Sequence, residues 1–198
     1  PISEATRASN REQTDAPSAR WAHTRTYGEH FNDVLRRYVV ELLQIAGYWA
    51  VAPVLSPGFK TLSEGIDRAP ASTWSERHVM YAAGLGTFSL SDGLITPVGM
   101  AMRCGSVVTN LPLQASPRPY ASHTANCLFL SQGRCGRCIE RCPAGAISKE
   151  GHDKVKCQAY AYGTLEPYKE RYGVSTVGCG LCQTGVPCEF RIPDASSG

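Results

Sequence analysis

Eight of the nine cysteines fall into two runs with the same spacing, and this repeat limits what the chain can be more than any other feature. Each run has a lone cysteine, then a C-x2-C pair, then a last cysteine. The first run is Cys127, Cys135, Cys138 and Cys142, and the second is Cys157, Cys179, Cys182 and Cys188. A [4Fe–4S] cluster requires four thiolates that converge on one cuboid. The repeat therefore predicts two such clusters.

The first run closes with C-x3-C-P, at Cys138, Cys142 and Pro143, as bacterial two-cluster ferredoxin sequences do. In that pattern the last cysteine binds the other cluster. This exchange rule assigns one predicted cluster to Cys127, Cys135, Cys138 and Cys188, and the other to Cys142, Cys157, Cys179 and Cys182. The sequence departs from the compact motif at Gln132, which stands in the place of its first cysteine. Cys127 is therefore expected to reach its cluster from a longer loop.

Two other uses of the cysteines remain open. Disulfides are typical of short secreted chains with an even number of cysteines, whereas this chain has nine and shows no hydrophobic signal segment near its N-terminus. Structural zinc is the stronger alternative, because two C-x2-C pairs suffice for a tetrahedral all-thiolate site. Zinc would leave four cysteines and the Cys-Pro ending without a role. The ninth cysteine, Cys104, is expected to be a small buried apolar residue within a strand.

Length and composition allow one domain or two small ones, because 198 residues with 42% hydrophobic content can bury a core. No apolar run approaches the roughly 20 residues of a membrane-spanning helix. Iron–sulfur clusters and reduced thiols favour a cytoplasmic location. The formal net charge of +3 is spread thinly, so it permits a nucleic-acid partner without indicating one. Because the chain starts at Pro1 rather than at Met, it is expected to be part of a longer protein.

The chain divides into four predicted parts. Residues 1–20 have almost no large apolar side chains and are predicted to form a polar tail or a strap over a neighbour. Residues 21–121 are predicted to form an α/β domain, and residues 122–192 the cluster module, with a short tail at 193–198. Prolines and small polar residues predict the boundary between the two at about residues 115–122.

Local patterns predict several elements of the first domain. Apolar residues three and four positions apart over residues 31–46 predict an amphipathic helix, which Gly47 ends. A short strand is predicted over residues 48–52. A second helix with a capping box is predicted over residues 73–84, and a buried strand over residues 106–109.

Three segments together resemble motifs of epoxyqueuosine reductases and corrinoid reductive dehalogenases. Residues 74–88 read WSERHVMYAAGLGTF and resemble the E-R-x-x-A-x-x-A-G-L-G segment of these families. Residues 103–107, RCGSV, are similar to their G-S-V strand, and residues 178–183, GCGLCQ, to their G-C-x-x-C-Q motif. The resemblance covers roughly residues 70–192, and the order of the motifs is more specific than any one of them.

The resemblance implies an α/β (α+β) fold, in which a partial nitroreductase-like cobalamin-binding domain precedes a small ferredoxin-like module with two [4Fe–4S] clusters. The clusters would deliver electrons to the corrinoid, whose cobalt carries the chemistry. The implied corrinoid-binding residues are Gly84, Leu85, Gly86 and Thr87, where glycine lets the backbone approach a flat ligand. Spacing alone favours a helix C-cap followed by a turn at the same place.

No single motif identifies the residue that would donate a proton in the reaction. Reductive dehalogenases use a tyrosine with a basic partner, and the residues of these types are Tyr81 and Arg103. Epoxyqueuosine reductases instead carry an aspartate a few residues before the E-R segment, where this chain has residues 69–72, APAS. His78, on the same predicted helix, is either a surface residue or a ligand contact.

The sequence thus predicts an iron–sulfur oxidoreductase that removes oxygen or halogen reductively from an organic substrate, either a small molecule or a modified tRNA base. Its electron donor is expected to be a ferredoxin or flavodoxin, and no membrane partner is expected. The alternative is a ferredoxin-like electron carrier or docking module without a catalytic site of its own. Bound cobalamin would separate these two, and a zinc-stapled interaction module, the third hypothesis, predicts a colourless protein.

Overall fold

Short helices and very short strands make up the structure, a computed structural model that describes residues 1–63 and 70–194. Its α-helices in these ranges are α1 (Glu4–Arg11), α2 (Ala19–Ile45), α3 (Glu76–Ala82), α4 (Leu128–Gln132), α5 (Arg137–Glu140), α6 (Lys154–Ala159) and α7 (Pro167–Tyr172). Its strands are β1 (Ala50–Val51), β2 (Thr61–Leu62), β3 (Ala71–Ser72), β4 (Thr87–Phe88), β5 (Leu94–Ile95), β6 (Val108–Thr109), β7 (Ile147–Ser148) and β8 (Gly151–His152).

The strands pair as four separate antiparallel two-stranded sheets, β1 with β6, β2 with β3, β4 with β5 and β7 with β8. Helices and small antiparallel sheets together confirm the α+β class. The nitroreductase-like and ferredoxin-like identities of the two parts stay predictions, as does the division of the chain at residues 115–122.

The first 18 residues are ordered around α1, which packs beside the C-terminal part of the chain. The Asn10 amide donates a hydrogen bond of 3.0 Å to the Thr184 hydroxyl, and Arg11 forms an ion pair of 2.6 Å with the buried Glu189 carboxylate. Few apolar side chains are needed, because hydrogen bonds and ion pairs hold this segment. Residues predicted to be a tail or a strap thus form a helix that contacts residues between 184 and 189.

Ser18 caps the N-terminus of α2. Its hydroxyl accepts a hydrogen bond of 3.1 Å from the backbone N–H of Trp21. Replacing Ser18 with alanine leaves that N–H without its partner, so we expect the free energy of unfolding to fall by about 1 kcal/mol. Thermal unfolding followed by circular dichroism would measure the loss. Ser18→Asp retains an acceptor and should restore most of it, and equal losses in both variants would contradict the capping role.

The helix predicted over residues 31–46 is confirmed as the second half of α2, and Gly47 follows its C-cap with a φ of +85°. Its apolar side is exposed: Phe31, Val34 and Tyr38 are 63%, 58% and 56% exposed. The buried residues of α2 come instead from its first half and from Arg36. The amphipathic pattern therefore predicted the helix correctly without predicting which side contacts the rest of the described chain.

Much of the buried core lies around the predicted cluster ligands. One apolar cluster joins β5 and β7 to five of these ligands, and its buried members are Leu90, Ile95, Met100, Cys127, Ile147 and Val186. A second cluster packs the first turn of α2 against Leu165, Val174 and Val177, with Tyr160, Tyr168 and Tyr172 around it. The core is thus built around the cysteine region.

Two predicted elements differ from the structure. The helix predicted over residues 73–84 begins at Glu76, because the Thr73 hydroxyl accepts a hydrogen bond from the Lys60 N–H beside the β2–β3 pair instead of capping a helix. The strand predicted over residues 106–109 is confirmed at Val108–Thr109, but Val108 is 37% exposed rather than buried.

Of the residues predicted to replace the family's aspartate, Ala69 lies outside the described residues. In the described ranges, no helix has both the length and the apolar character to cross a membrane.

Candidate functional site

The cysteines assigned to one predicted cluster, Cys127, Cys135, Cys138 and Cys188, are here called the first tetrad. All four line one small apolar cavity of about 30 Å³. The other residues of its wall include Ile95, Met100, Phe129 and Val186, and no charged residue is among the described residues that line it. The Sγ atom of Cys188 lies 3.1 Å from the Sδ atom of Met100. The first tetrad thus lies around a small, mainly apolar cavity.

The cysteines assigned to the other cluster, Cys142, Cys157, Cys179 and Cys182, are here called the second tetrad. Their thiols are electrostatic neighbours, since Cys142 and Cys157 both raise the pKa of Cys179 and of Cys182. The backbone N–H of Ala146 donates to Cys142 Sγ at 3.3 Å, the type of contact that protein backbones make to cluster sulfur atoms. Gly180, between two of these ligands, has a φ of +63° and lies against the Trp21 ring of α2, with no room for a Cβ.

The grouping of the thiols agrees with the exchange rule. The neighbours that raise the pKa of Cys188 are Cys127, Cys138 and Cys135, although Cys188 is close in sequence to Cys182. Cys142, four residues after Cys138, is a neighbour of Cys179 and Cys182. The two groups also adjoin, because Cys138 is near enough to Cys182 to raise its pKa.

Burial raises the pKa of these thiols. It is the main reason why the pKa of Cys138 rises to about 12 and that of Cys179 to about 11, and the neighbouring thiols of each group add to the effect. All nine cysteines are free. Within the described ranges, no three His, Cys, Asp or Glu side chains are arranged to hold a single metal ion. The choice between iron–sulfur clusters and structural zinc stays a prediction.

Two basic side chains flank the second tetrad. His152 contacts the Asp92 carboxylate at 3.0 Å, and its hydrogen bonds to Asp92 and Cys157 raise its pKa to about 9. Arg141 immediately precedes Cys142, and the thiols of Cys179 and Cys182 are near enough to act on its charge. The cysteine spacing gave no indication of either residue.

The predicted corrinoid-binding residues lie in the turn after α3 and in β4. Gly84 has a φ of +77°, and a Cβ on it would collide with the backbone at Pro117; a Cβ on Gly86 would collide with the carbonyl of Ile95. Thr87 is fully buried, and its hydroxyl accepts a hydrogen bond of 2.9 Å from the Asn126 N–H. Leu85 is 47% exposed. Packing within the protein is thus enough to explain why glycine stands at both positions, as the C-cap interpretation expects. A contact between these residues and a corrinoid stays a prediction.

The predicted acid and its basic partner have different neighbours. The Tyr81 ring lies 5.8 Å from the Phe88 ring, and the guanidinium above it, at 5.3 Å, belongs to Arg118. Arg103 pairs with Glu29 of α2, and burial is the main cause that lowers its pKa to about 10. In the described part of the chain, no hydrogen bond joins Tyr81 to Arg103. The basic residue over Tyr81 was therefore not the one that the sequence suggested.

Two neighbouring residues have structural partners. His78 is exposed, with Nδ1 at 2.7 Å from the Ser75 hydroxyl and its ring at 4.9 Å from that of Phe88. Cys104 is half-buried and lies outside the strands rather than within one, and burial raises its pKa. Its carbonyl accepts hydrogen bonds from Asn32 and Arg36.

Arg36 is a buried charged residue that the sequence did not indicate. It is 4% exposed and forms ion pairs with Glu29, Asp33 and Glu76, the last of which begins the E-R segment. Gly105 of the G-S-V segment lies against the guanidinium, and a Cβ there would stand 2.7 Å from its Nε. This network joins α2 to α3 and to residues 104–105. The last two lie in segments that resemble the reductases.

Several curated proteins are similar to this chain in sequence. An epoxyqueuosine reductase of Bacillus cereus is 33% identical over 119 residues, which are 57% of this chain and 29% of that protein. One of Synechocystis sp. is 32% identical over 139 residues, 64% of this chain and 43% of its own length. One of Gloeobacter violaceus is 30% identical over 174 residues, 83% of this chain and 48% of its own length. The chain belongs to the epoxyqueuosine reductase family.

Family membership confirms the resemblance drawn from the motifs, and it extends over most of this chain. The chain spans less than half the length of the curated relatives that it matches. No family model and no solved structure matches it. These relatives are reductases by name.

Proposed function

We propose that the chain is the electron-delivering part of a corrinoid-dependent iron–sulfur reductase, with one [4Fe–4S] cluster on each tetrad. The observation that supports this proposal is that Cys127, Cys135, Cys138 and Cys188 line one cavity, with the other four cysteines of the repeat close by, in a chain related to epoxyqueuosine reductases. Its electrons would come from a ferredoxin or flavodoxin in the cytoplasm. Its substrate would be epoxyqueuosine in tRNA or a related compound from which oxygen or halogen is removed.

The protein's own residues have definite tasks in this proposal. The first tetrad would hold a cluster at a mainly apolar cavity, and the second would hold one beside two basic side chains. Adjacency of the tetrads, through Cys138 and Cys182, would give electrons a short path between clusters. A corrinoid would supply the cobalt chemistry when bound near residues 84–87. Proton delivery at the substrate would fall to Tyr81, with Arg118 or Arg103 as its basic partner.

A second function, electron carriage without catalysis, is favoured by one observation. Three of the four predicted corrinoid residues, Gly84, Gly86 and Thr87, make close contacts within the protein. If these contacts are their whole role, residues 21–121 serve to dock a partner, and the clusters pass electrons to it. The two functions differ in whether the chain holds cobalt.

Elemental analysis separates these functions. After anaerobic expression with cobalamin supplied, we expect about eight iron atoms and about one cobalt atom per chain. Iron near eight without cobalt would favour the electron carrier. Zinc in place of iron would contradict both functions, and so would a colourless protein without absorption from thiolate–iron bonds.

A further inference from the structure

The two tetrads differ in the charges around them. The first tetrad adjoins a cavity whose described lining has no charged residue. Glu189 follows Cys188 and carries the carboxylate that is nearest in sequence to this tetrad. Ion pairs of 3.1 and 2.6 Å with Arg7 and Arg11 neutralise its charge. Arg137, which lies between Cys135 and Cys138 of the first tetrad, is paired with Glu140. The second tetrad has Arg141 and His152 beside it. Any cluster that the tetrads hold would therefore experience a different electrostatic field at each place.

Arg141 is held by carbonyl groups rather than by a carboxylate. Its Nε donates to the carbonyl of Thr184 at 2.9 Å, and its two terminal nitrogens donate to the carbonyls of Gln13 and Asn10 at 2.8 and 3.0 Å. In residues 1–63 and 70–194, no Asp or Glu lies within ion-pair distance of it. Carbonyl groups satisfy its hydrogen bonds, and in the described residues no carboxylate forms an ion pair with its charge.

The fixed positive charge lies close to the sulfur atoms of the second tetrad. Arg141 directly precedes Cys142, and its Nε also lies 3.3 Å from the carbonyl of Leu181, the residue before Cys182. Arginine keeps its proton throughout the working pH range. A cluster gains one negative charge on reduction, so a nearby cation stabilises the reduced form, and the potential rises with the charge around the cluster.

We propose that Arg141 is a positioning residue whose charge raises the reduction potential of the cluster on the second tetrad above that of the cluster on the first. The second cluster is then reduced first, by one electron from a low-potential carrier, and the first cluster is the stronger reductant. This inference rests on the two-cluster part of the proposed function.

Single-cluster chains make the comparison direct. Cys135→Ala/Cys138→Ala keeps only the second tetrad intact, and Cys179→Ala/Cys182→Ala keeps only the first. Each would be titrated anaerobically with dithionite in the presence of redox mediators, with the reduced cluster followed by electron paramagnetic resonance. We expect the second cluster to have the higher potential. A higher potential for the first cluster would overturn the proposal, and this comparison needs no change at Arg141.

The role of the charge is tested in the chain that keeps only the second tetrad. Arg141→Gln should lower the ratio of reduced to oxidised cluster about tenfold at a fixed solution potential, which equals a shift of about 59 mV for one electron. Arg141→Lys keeps the charge and should restore most of the ratio. Equal shifts in both variants, or no shift in either, would contradict a role of charge.

Two further variants separate charge from scaffolding. Arg137→Gln removes a neighbouring arginine that is 56% exposed and already paired with Glu140, so it should leave the potential unchanged. Ser18→Ala removes the capping hydrogen bond of α2 without removing a charge, and should also leave the potential unchanged. A shift in Ser18→Ala as large as in Arg141→Gln would overturn the proposal. Chains that bind no iron would contradict the proposed function itself, whereas two clusters in the opposite order would contradict only this inference.

Discussion

Replacing Cys179 and Cys182 together with alanine is expected to lower the iron content of the chain from about eight to about four atoms. Both thiols belong to the second tetrad, and a cluster that loses two of four ligands has too few bonds to persist. Cys135→Ala/Cys138→Ala should have the same effect on the first cluster. Iron per chain, measured after anaerobic purification, gives the result. Cys104→Ala is the matched control, because Cys104 belongs to neither tetrad and should leave iron at about eight.

The same variants test which cysteine completes which cluster. In the Cys179→Ala/Cys182→Ala chain the remaining cluster should depend on Cys188, whose neighbours are the thiols of the first tetrad. Adding Cys188→Ala should therefore remove the last four irons, whereas adding Cys142→Ala should not. If Cys142 is needed instead, the cysteines are grouped by order in the chain rather than by exchange.

Local spacing explains why the sequence could predict the tetrads. The C-x2-C pairs bring two thiols together within one turn, and the C-x3-C-P ending is specific enough to indicate that Cys142 and Cys188 change places. The surroundings of the tetrads could not be predicted in this way. Arg141 binds carbonyls in and just after α1 that are more than 120 residues away in sequence, and no pattern near Arg141 encodes those contacts.

The α2 helix shows the same limit in the fold. Apolar spacing of three and four residues predicted its helical conformation, because that signal depends only on neighbours within the helix. Which side is buried depends on distant partners. In the described structure, the contacts of Arg36 with Glu76 and with the Cys104 carbonyl come from residues 40 and 68 positions later, while Val34 and Tyr38 stay exposed. A charged residue in a polar stretch gave no sign that it would be buried.

Gly84 and Gly86 stand where the backbone needs room, but this need has more than one explanation. Gly84 and Gly86 were expected to let a flat ligand approach, and both do lie where a side chain would collide. The colliding groups in the described structure are the chain's own backbone at Pro117 and Ile95. Sequence spacing indicates that the backbone needs room at these residues, but it does not indicate what occupies that room.

Replacing Gly99 with alanine is the second change with a large expected effect, here on stability, because the neighbouring atoms belong to the backbone. It has a φ of +79°, and a Cβ would lie well inside contact distance of the backbone of Glu189 and Phe190. Hydrogen bonds of 2.9 Å from Met100 N–H to the Cys188 carbonyl and from Ala101 N–H to the Glu189 carbonyl hold that backbone against the segment of Gly99, and Arg7 and Arg11 of α1 hold the Glu189 carboxylate. Gly99→Ala therefore combines an unfavourable backbone conformation with overpacking, at about 2–5 kcal/mol in all.

The matched control for Gly99 is Gly173, which ends α7 with a φ of +64° and where an added Cβ would meet no described atom within 4 Å. Gly173→Ala meets only the conformational penalty of about 1–2 kcal/mol. Anaerobic thermal unfolding should give a larger fall in Tm for Gly99→Ala, and equal falls would show that the backbone at Glu189 yields. Because the displaced segment follows Cys188, heating Gly99→Ala should release the first cluster before the second, so that iron falls towards about four per chain before the helices unfold.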